Sequence, residues 1–321
     1  MLGAIVLLGW ATVLSFAAPA VLRRARWPSR APRLAVLVWQ TASASFVVAL
    51  VLGGLALAVP ATVLSGGLAE LAMNCVMAVR DAYRTPAGAG AAGAGLVLAI
   101  SVAGRVGWCL VAGLHHAARR RREHARRLSL VACRDDRLGV LVVEHATPLV
   151  YCLPGHSAAI VVTSAAINTL QPQQLTAVLA HERAHVRARH HLVVAAAAAL
   201  ARAFPRVPLL REAGAAIPAL VEMAADDAAS RRTDRTRVAT SLAELAGSIA
   251  PEAALGAAAL GALARVQRLL RPAAPLSRLG TVAALGVAII LLAAPAAAAV
   301  APAWIAGPMS DCRMVMAAPG R

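Results

Sequence analysis

Four long apolar stretches constrain this chain more than any other feature. Leu2–Leu22, Leu34–Pro60 and Thr281–Ile305 carry no charged residue, and Leu96–Leu114 carries only Arg105. Each is close to the ~20 apolar residues a spanning helix needs, and within lipid only helices or closed barrels satisfy every backbone polar group. Pro295 and Pro302 predict kinks in the fourth stretch. Composition agrees, with 60% of residues hydrophobic and 15% charged, against about 25% charged in soluble domains. Arginines follow the first stretch rather than precede it, so it reads as a retained span and not as a signal peptide. The fold class expected is a multi-pass α-helical membrane protein with four spans and one α+β domain inserted between spans three and four.

Arginine placement predicts the orientation. The loop after the first span holds Arg23, Arg24, Arg26, Arg30 and Arg33 without an acid, and Arg119–Arg122, Arg126 and Arg127 follow the third span. In the 66–90 segment, Arg80 and Arg84 are balanced by Glu70 and Asp81. The N-terminus is therefore expected outside and the catalytic domain in the cytoplasm. The predicted divisions are a membrane region at 1–114, a cytoplasmic domain with a basic juxtamembrane linker at 115–280, a fourth span at 281–305 and an extracytoplasmic tail at 306–321. All the basic residues are arginines, giving a net charge of +17. The 119–127 cluster is expected to attract anionic membrane lipid at roughly 1 kcal/mol per arginine. It lacks aromatic stacking residues and a reading helix, so no direct nucleic-acid partner is expected. Arg105 should face the bundle interior or water. Cys75 and Cys312 both fall outside in this topology, where a disulfide joining them is conceivable but two free thiols are the default.

The domain opens with strand-like runs at Leu138–Val143, Leu149–Leu153 and Ala159–Thr163, broken by Pro148 and Pro154-Gly155. A helical pattern then runs from Pro172 to Ala201, with further helices expected at Ile217–Ser230 and Val238–Ile249. The apolar run Leu192–Phe204 is too short to cross a bilayer by itself. It reads as a core helix, with a segment on or dipping into the inner leaflet as the alternative.

The chemistry lies in His181-Glu182-Arg183-Ala184-His185. Positions i and i+4 share a helix face, so His181 and His185 can offer two imidazole nitrogens to one metal ion. This is the H-E-x-x-H arrangement of zinc peptidases, with Glu182 beside the metal as general base. A catalytic zinc takes three protein ligands, and Glu222 in the apolar Val221-Glu222-Met223-Ala224-Ala225-Asp226 run is the expected third. Asp226, one turn on, is expected to accept the other ring N–H of a metal-bound His, while Asp227 should face elsewhere. One Zn2+ per chain follows. Ala159, Ile160, Val161, Val162 and Thr163 are expected to form the strand that pairs with an extended substrate. Tyr151, Arg231 and Arg232 stay open as oxyanion donors. His190, reckoned along one continuous helix from His181, should lie off the metal face at the surface.

The motif, with Glu222-x-x-x-Asp226 downstream, lies between a third and a fourth span behind an arginine-rich segment. Together with Leu153-Pro154-Gly155 and Val161-Val162-Thr163, it resembles the antirepressor (BlaR/MecR-type) membrane zinc peptidases. The resemblance implies a gluzincin-like domain, zinc at His181, His185 and Glu222, Glu182 as base, and a cytoplasmic winged-helix repressor as protein substrate in a signalling pathway. The chain departs from the β-lactam sensors of that family: it contains no Lys, hence no Ser-x-x-Lys, and ends soon after the fourth stretch. Two alternatives stand beside this reading. One is a quality-control membrane protease of the HtpX kind, whose chain re-enters the membrane after the motif helix. The other is a non-catalytic metal-binding membrane scaffold.

Overall fold

The computed structural model describes residues 2–58, 85–155, 158–249, 257–272 and 274–315. The chain begins with α1 (Leu2–Arg24) and α2 (Pro32–Ala58), joined by a short arginine-bearing loop. Next comes α3 (Pro86–Leu128), which starts where the Thr85 hydroxyl accepts from the Gly88 N–H and Pro86 takes the first turn. Its 43 residues form one uninterrupted helix, about 64 Å long at 1.5 Å per residue. That is about twice the hydrocarbon thickness. The expected juxtamembrane linker is thus the second half of this helix. Glycine is required where α2 and α3 meet: a Cβ on Gly54 would come within 2.6 Å of the Gly95 carbonyl oxygen.

A four-stranded sheet follows, built from β1 (Ala132–Asp135), β2 (Val140–Val143), β3 (Val150–Leu153) and β4 (Ala159–Thr163). Its order is β1-β2-β4-β3, with β2 and β4 parallel and the other pairs antiparallel. β1 was not foreseen, because Ala-Cys-Arg-Asp is a polar, largely exposed edge. The short helix α4 (Ser164–Thr169) leads to α5 (Pro172–Arg187), which carries the motif. Leu175, Val178 and Leu179 of α5 pack against Val140, Ile160 and Val162 of the sheet.

Here the helical pattern predicted to run on to Ala201 breaks. Arg189 adopts a left-handed conformation (φ 49°), and a new helix, α6 (His190–Ala203), starts in a different direction. α7 (Pro208–Ser230), α8 (Arg235–Ile249), α9 (Ala257–Leu270) and α10 (Arg278–Val315) complete the chain. α9 had no counterpart in the sequence reading.

α1, α2, α3 and the Arg278–Val300 part of α10 are long and apolar enough to cross a membrane. α6, at 14 residues, is about 21 Å long and too short to do so. It nevertheless packs among the candidate spans. Leu209, Leu210, Ala213 and Ile217 of α7 share one core with Leu7, Ala11 and Leu14 of α1, Trp39 and Phe46 of α2, and Leu291 of α10. Phe204, at the turn between α6 and α7, meets the Phe46 ring edge-on at 6.0 Å. The Gln40 side chain donates to the Val193 carbonyl (3.0 Å) and Arg105 to the Ala203 carbonyl. Leu192–Phe204 is therefore core, but it packs with the candidate spans rather than within a separate domain. The 66–90 segment falls largely outside the described residues. So does Cys75, and the side chain of Cys312 is likewise outside them.

Candidate active site

Two helices build the site. α5 is held on the sheet by its apolar face, so its next face, carrying His181, Glu182 and His185, turns toward α7. There Ala224, Ala225, Ala228 and Ala229 are buried small residues that allow close approach, bringing Glu222 and Asp226 level with the imidazoles.

Nε2 of His181 and Nε2 of His185 face each other at 3.0 Å. The Glu222 carboxylate lies 3.5 Å from each, through Oε2 to His181 and Oε1 to His185. These are the three residues whose donor atoms converge among the described residues. A tetrahedral zinc with bonds of about 2.0–2.1 Å needs donors roughly 3.3–3.4 Å apart, so the triangle matches such an ion with little movement. The outward nitrogens fit as well. Nδ1 of His181 is 3.0 Å from Asp226 Oδ1, and Nδ1 of His185 is 3.2 Å from Nδ1 of His190. A ligating imidazole needs such a partner to fix its tautomer.

Glu182 lines a small cavity of about 170 Å³ with His181, Glu222 and Asp226. Burial raises its pKa, only partly offset by the nearby His181, and the Cys152 thiol donates to it. Burial and that same carboxylate push the thiol up to about 12, so it stays protonated. Burial opposes charge on His181, yet hydrogen bonds to Asp226 and Glu222 raise it to about 9. His185 goes the other way, lowered to about 4 by burial and by His181. Burial works against ionisation of Asp226 too, but Arg265 and His181 hold it at about 2.

Arg265, on α9, is the residue sequence reasoning missed. Its guanidinium donates twice to Asp226 (2.8 and 2.7 Å) and lies 2.9 Å from Glu222 Oε2. Only a helix pairing between α7 and α9 reveals this, and no spacing rule links the two segments. The buried, apolar surroundings of two acids on one helix face were the available hint that a cation was owed to them.

Other expectations need correction. Ala159–Thr163 cannot accept a substrate strand: β4 is paired on both sides, to β2 and to β3. The edge next to the motif helix is β3, whose Cys152 side chain reaches Glu182. His190 is buried rather than at the surface, because the break at Arg189 resets the helical phase. None of Tyr151, Arg231 and Arg232 lies at the donor triangle. Tyr151 points off the other face of β3 to His124, 2.9 Å away; Arg231 lines a separate cavity; Arg232 lies beside Arg187. Asp227 faces away from the site, bound by Arg268 at 2.9 and 2.8 Å.

Against known families, residues 118–217 match Peptidase family M48. The matched stretch holds His181, Glu182 and His185 and stops short of Glu222. About a third of the chain is thus similar to a metal-dependent peptidase family, and four of its helices are long and apolar enough to cross a membrane. No curated protein and no solved structure matches it.

Proposed function

We propose that this chain is a membrane-anchored zinc endopeptidase that hydrolyses peptide bonds of a protein at the cytoplasmic face. The carrying observation is the donor triangle of His181, His185 and Glu222, with each imidazole fixed from behind and a half-buried carboxylate, Glu182, beside it. When bound there, a zinc ion supplies Lewis acidity toward water and toward a scissile carbonyl.

The chain's own residues do the rest. Glu182, its pKa raised by burial, is suited to take a proton from water and return it to the leaving amine. Asp226 orients His181, and His190 orients His185. The free edge of β3 offers main-chain groups to an extended substrate. The arginine-rich α1–α2 loop and the basic second half of α3 support a cytoplasmic site. Cleavage of a winged-helix repressor in signalling is the finer reading that the antirepressor resemblance supports. HtpX-type quality control is the second reading, favoured by the M48 match and by the α6–α7 hairpin that returns among the spans.

The test is the zinc content and peptidase activity of detergent-purified protein. We expect about one zinc per chain, lost in His181→Ala and Glu222→Ala together with activity. Wild-type protein that takes up no zinc under metal-replete conditions overturns the reading.

A further inference from the structure

A second cavity, about 1040 Å³ in volume, lies between the α1–α2 loop and the facing ends of α7 and α9. Its charge is lopsided. Arg26, Arg30, Arg231, Arg235, Arg268 and Arg271 line it, and the one carboxylate among its lining residues is Asp227. Arg268 binds both oxygens of Asp227 and donates to the Ser29 carbonyl at 2.7 Å. Arg235 donates to the carbonyls of Arg268 and Leu269 (2.7 and 3.1 Å), which cancels no charge. The remaining Nη1 of Arg268 is buried with no hydrogen-bond partner among the described residues, and a buried guanidinium N–H left unpaired is costly. Like charges gathered in one concavity focus a strong positive potential. The arrangement calls for a multivalent anion with several acceptor oxygens, the pairing guanidinium forks make best with phosphate.

Position narrows the source. The α1–α2 loop joins two consecutive apolar helices, so if both span, Arg26 and Arg30 sit at headgroup level, where anionic phospholipid is concentrated. The cavity is also tied to the metal site. Asp226 and Asp227 are adjacent on α7, and Arg265 and Arg268 are one turn apart on α9. The pairs Asp226–Arg265 and Asp227–Arg268 are two rungs between the same helices, one at the donor triangle and one on the cavity wall.

We propose that the arginine-lined cavity between the α1–α2 loop, α7 and α9 is a binding site for a phosphate-bearing anion, and that occupancy braces α9 against α7. The binding claim stands apart from the peptidase reading, so its test needs no turnover. Full-length protein in neutral detergent is titrated with phosphatidylglycerol or phosphatidylcholine and bound lipid is counted by native mass spectrometry; thermal unfolding is followed in parallel with inorganic phosphate or pyrophosphate against chloride of equal ionic strength. The variant is Arg30→Gln/Arg271→Gln, two exposed arginines whose side chains take no part in the Arg268 and Arg235 hydrogen bonds; Arg235 reaches only the Arg271 backbone carbonyl. The control is Arg134→Gln/Arg137→Gln on the β1–β2 hairpin, two exposed arginines outside the basic segments expected to meet lipid, which removes the same charge elsewhere. Wild type should prefer phosphatidylglycerol, the cavity variant should lose about 30-fold in affinity, as expected for two headgroup-level arginines, and the control should change little. Binding that phosphate or pyrophosphate displaces, with a matching rise in unfolding temperature, assigns a soluble phosphate; binding they leave untouched assigns the lipid headgroup. Equal losses in cavity variant and control, or equal binding of phosphatidylcholine, overturn the proposal.

Discussion

Arg265 grips Asp226 with two hydrogen bonds, and Asp226 in turn holds Nδ1 of His181 at 3.0 Å. A metal-facing imidazole is therefore anchored through a carboxylate to a helix that contributes no metal ligand. The Asp226 side chain is 1% exposed and that of Arg265 15%. Removing one partner leaves a buried charge uncompensated, typically about 3–5 kcal/mol. Arg265→Ala should lower the unfolding free energy on that scale and weaken metal retention 10–100-fold. Arg265→Lys should recover only part of both, since a lysine cannot bind both carboxylate oxygens in fork geometry. Urea unfolding and competitive zinc titration check this; an alanine variant matching wild type in both would show that α9 is not needed at the site.

Glu182 is not one of the three donor residues, so its two possible roles separate cleanly. Glu182→Gln keeps the side-chain size, removes the proton acceptor and leaves the ligands alone. We expect unchanged zinc content and a loss of about 10²–10⁴-fold in cleavage of an unstructured protein substrate. Retained cleavage would remove Glu182 as the base, and zinc held by wild type and variant alike with cleavage by neither would favour a metal-binding scaffold.

The site was partly readable from sequence because helical periodicity is local. His181 and His185, like Glu222 and Asp226, are related by one helical turn, and the small residues of α7 mark its buried face. Arg265 was not readable, since α9 is an ordinary alanine- and leucine-rich helix until it meets α7. His190 was misplaced because one residue, Arg189, leaves the right-handed region and changes the direction of everything after it. The strand error had a visible signal: Ile160, Val161, Val162 and Thr163 are all buried, and a run apolar on both faces marks an interior strand rather than an edge. Of the four long apolar helices, the positions followed from hydropathy, but the 43-residue length of α3 and the 38-residue length of α10 did not. The return of α6 and α7 into the bundle did not, because a short apolar helix looks alike in either core.

The proton balance of metal uptake follows from His181. Without metal its pKa is raised from 6.5 to about 9, so its charged hydrogen bonds stabilise the fold fully below pH 6.5 and are lost as pH rises through about 9. In chelator, the unfolding temperature should fall across that window, and the fall should shrink in Asp226→Asn. A metal ligand must be the neutral ring. At pH 7, zinc uptake should therefore expel about one proton, and apparent affinity should climb with pH until about 9. Calorimetric titration in buffers of different ionisation heat measures the proton directly; uptake with no proton released would contradict a charged His181 in the metal-free protein.

His190 offers the most selective test of how the second imidazole is held. With Nε2 of His185 directed at the metal position, its Nδ1 must carry the proton and donate to Nδ1 of His190, 3.2 Å away. His190 must then be a neutral acceptor. Burial, with Arg33 nearby, lowers its pKa from 6.5 and keeps it so. Replacing it by alanine removes the acceptor and should cost 10–100-fold in zinc affinity. Glutamine, whose amide oxygen also accepts, should restore most of that loss, whereas His191→Ala should change zinc affinity little because His191 makes no contact with a ligand. If His190→Gln binds zinc no better than His190→Ala, the residue fills space beneath His185 rather than setting its tautomer.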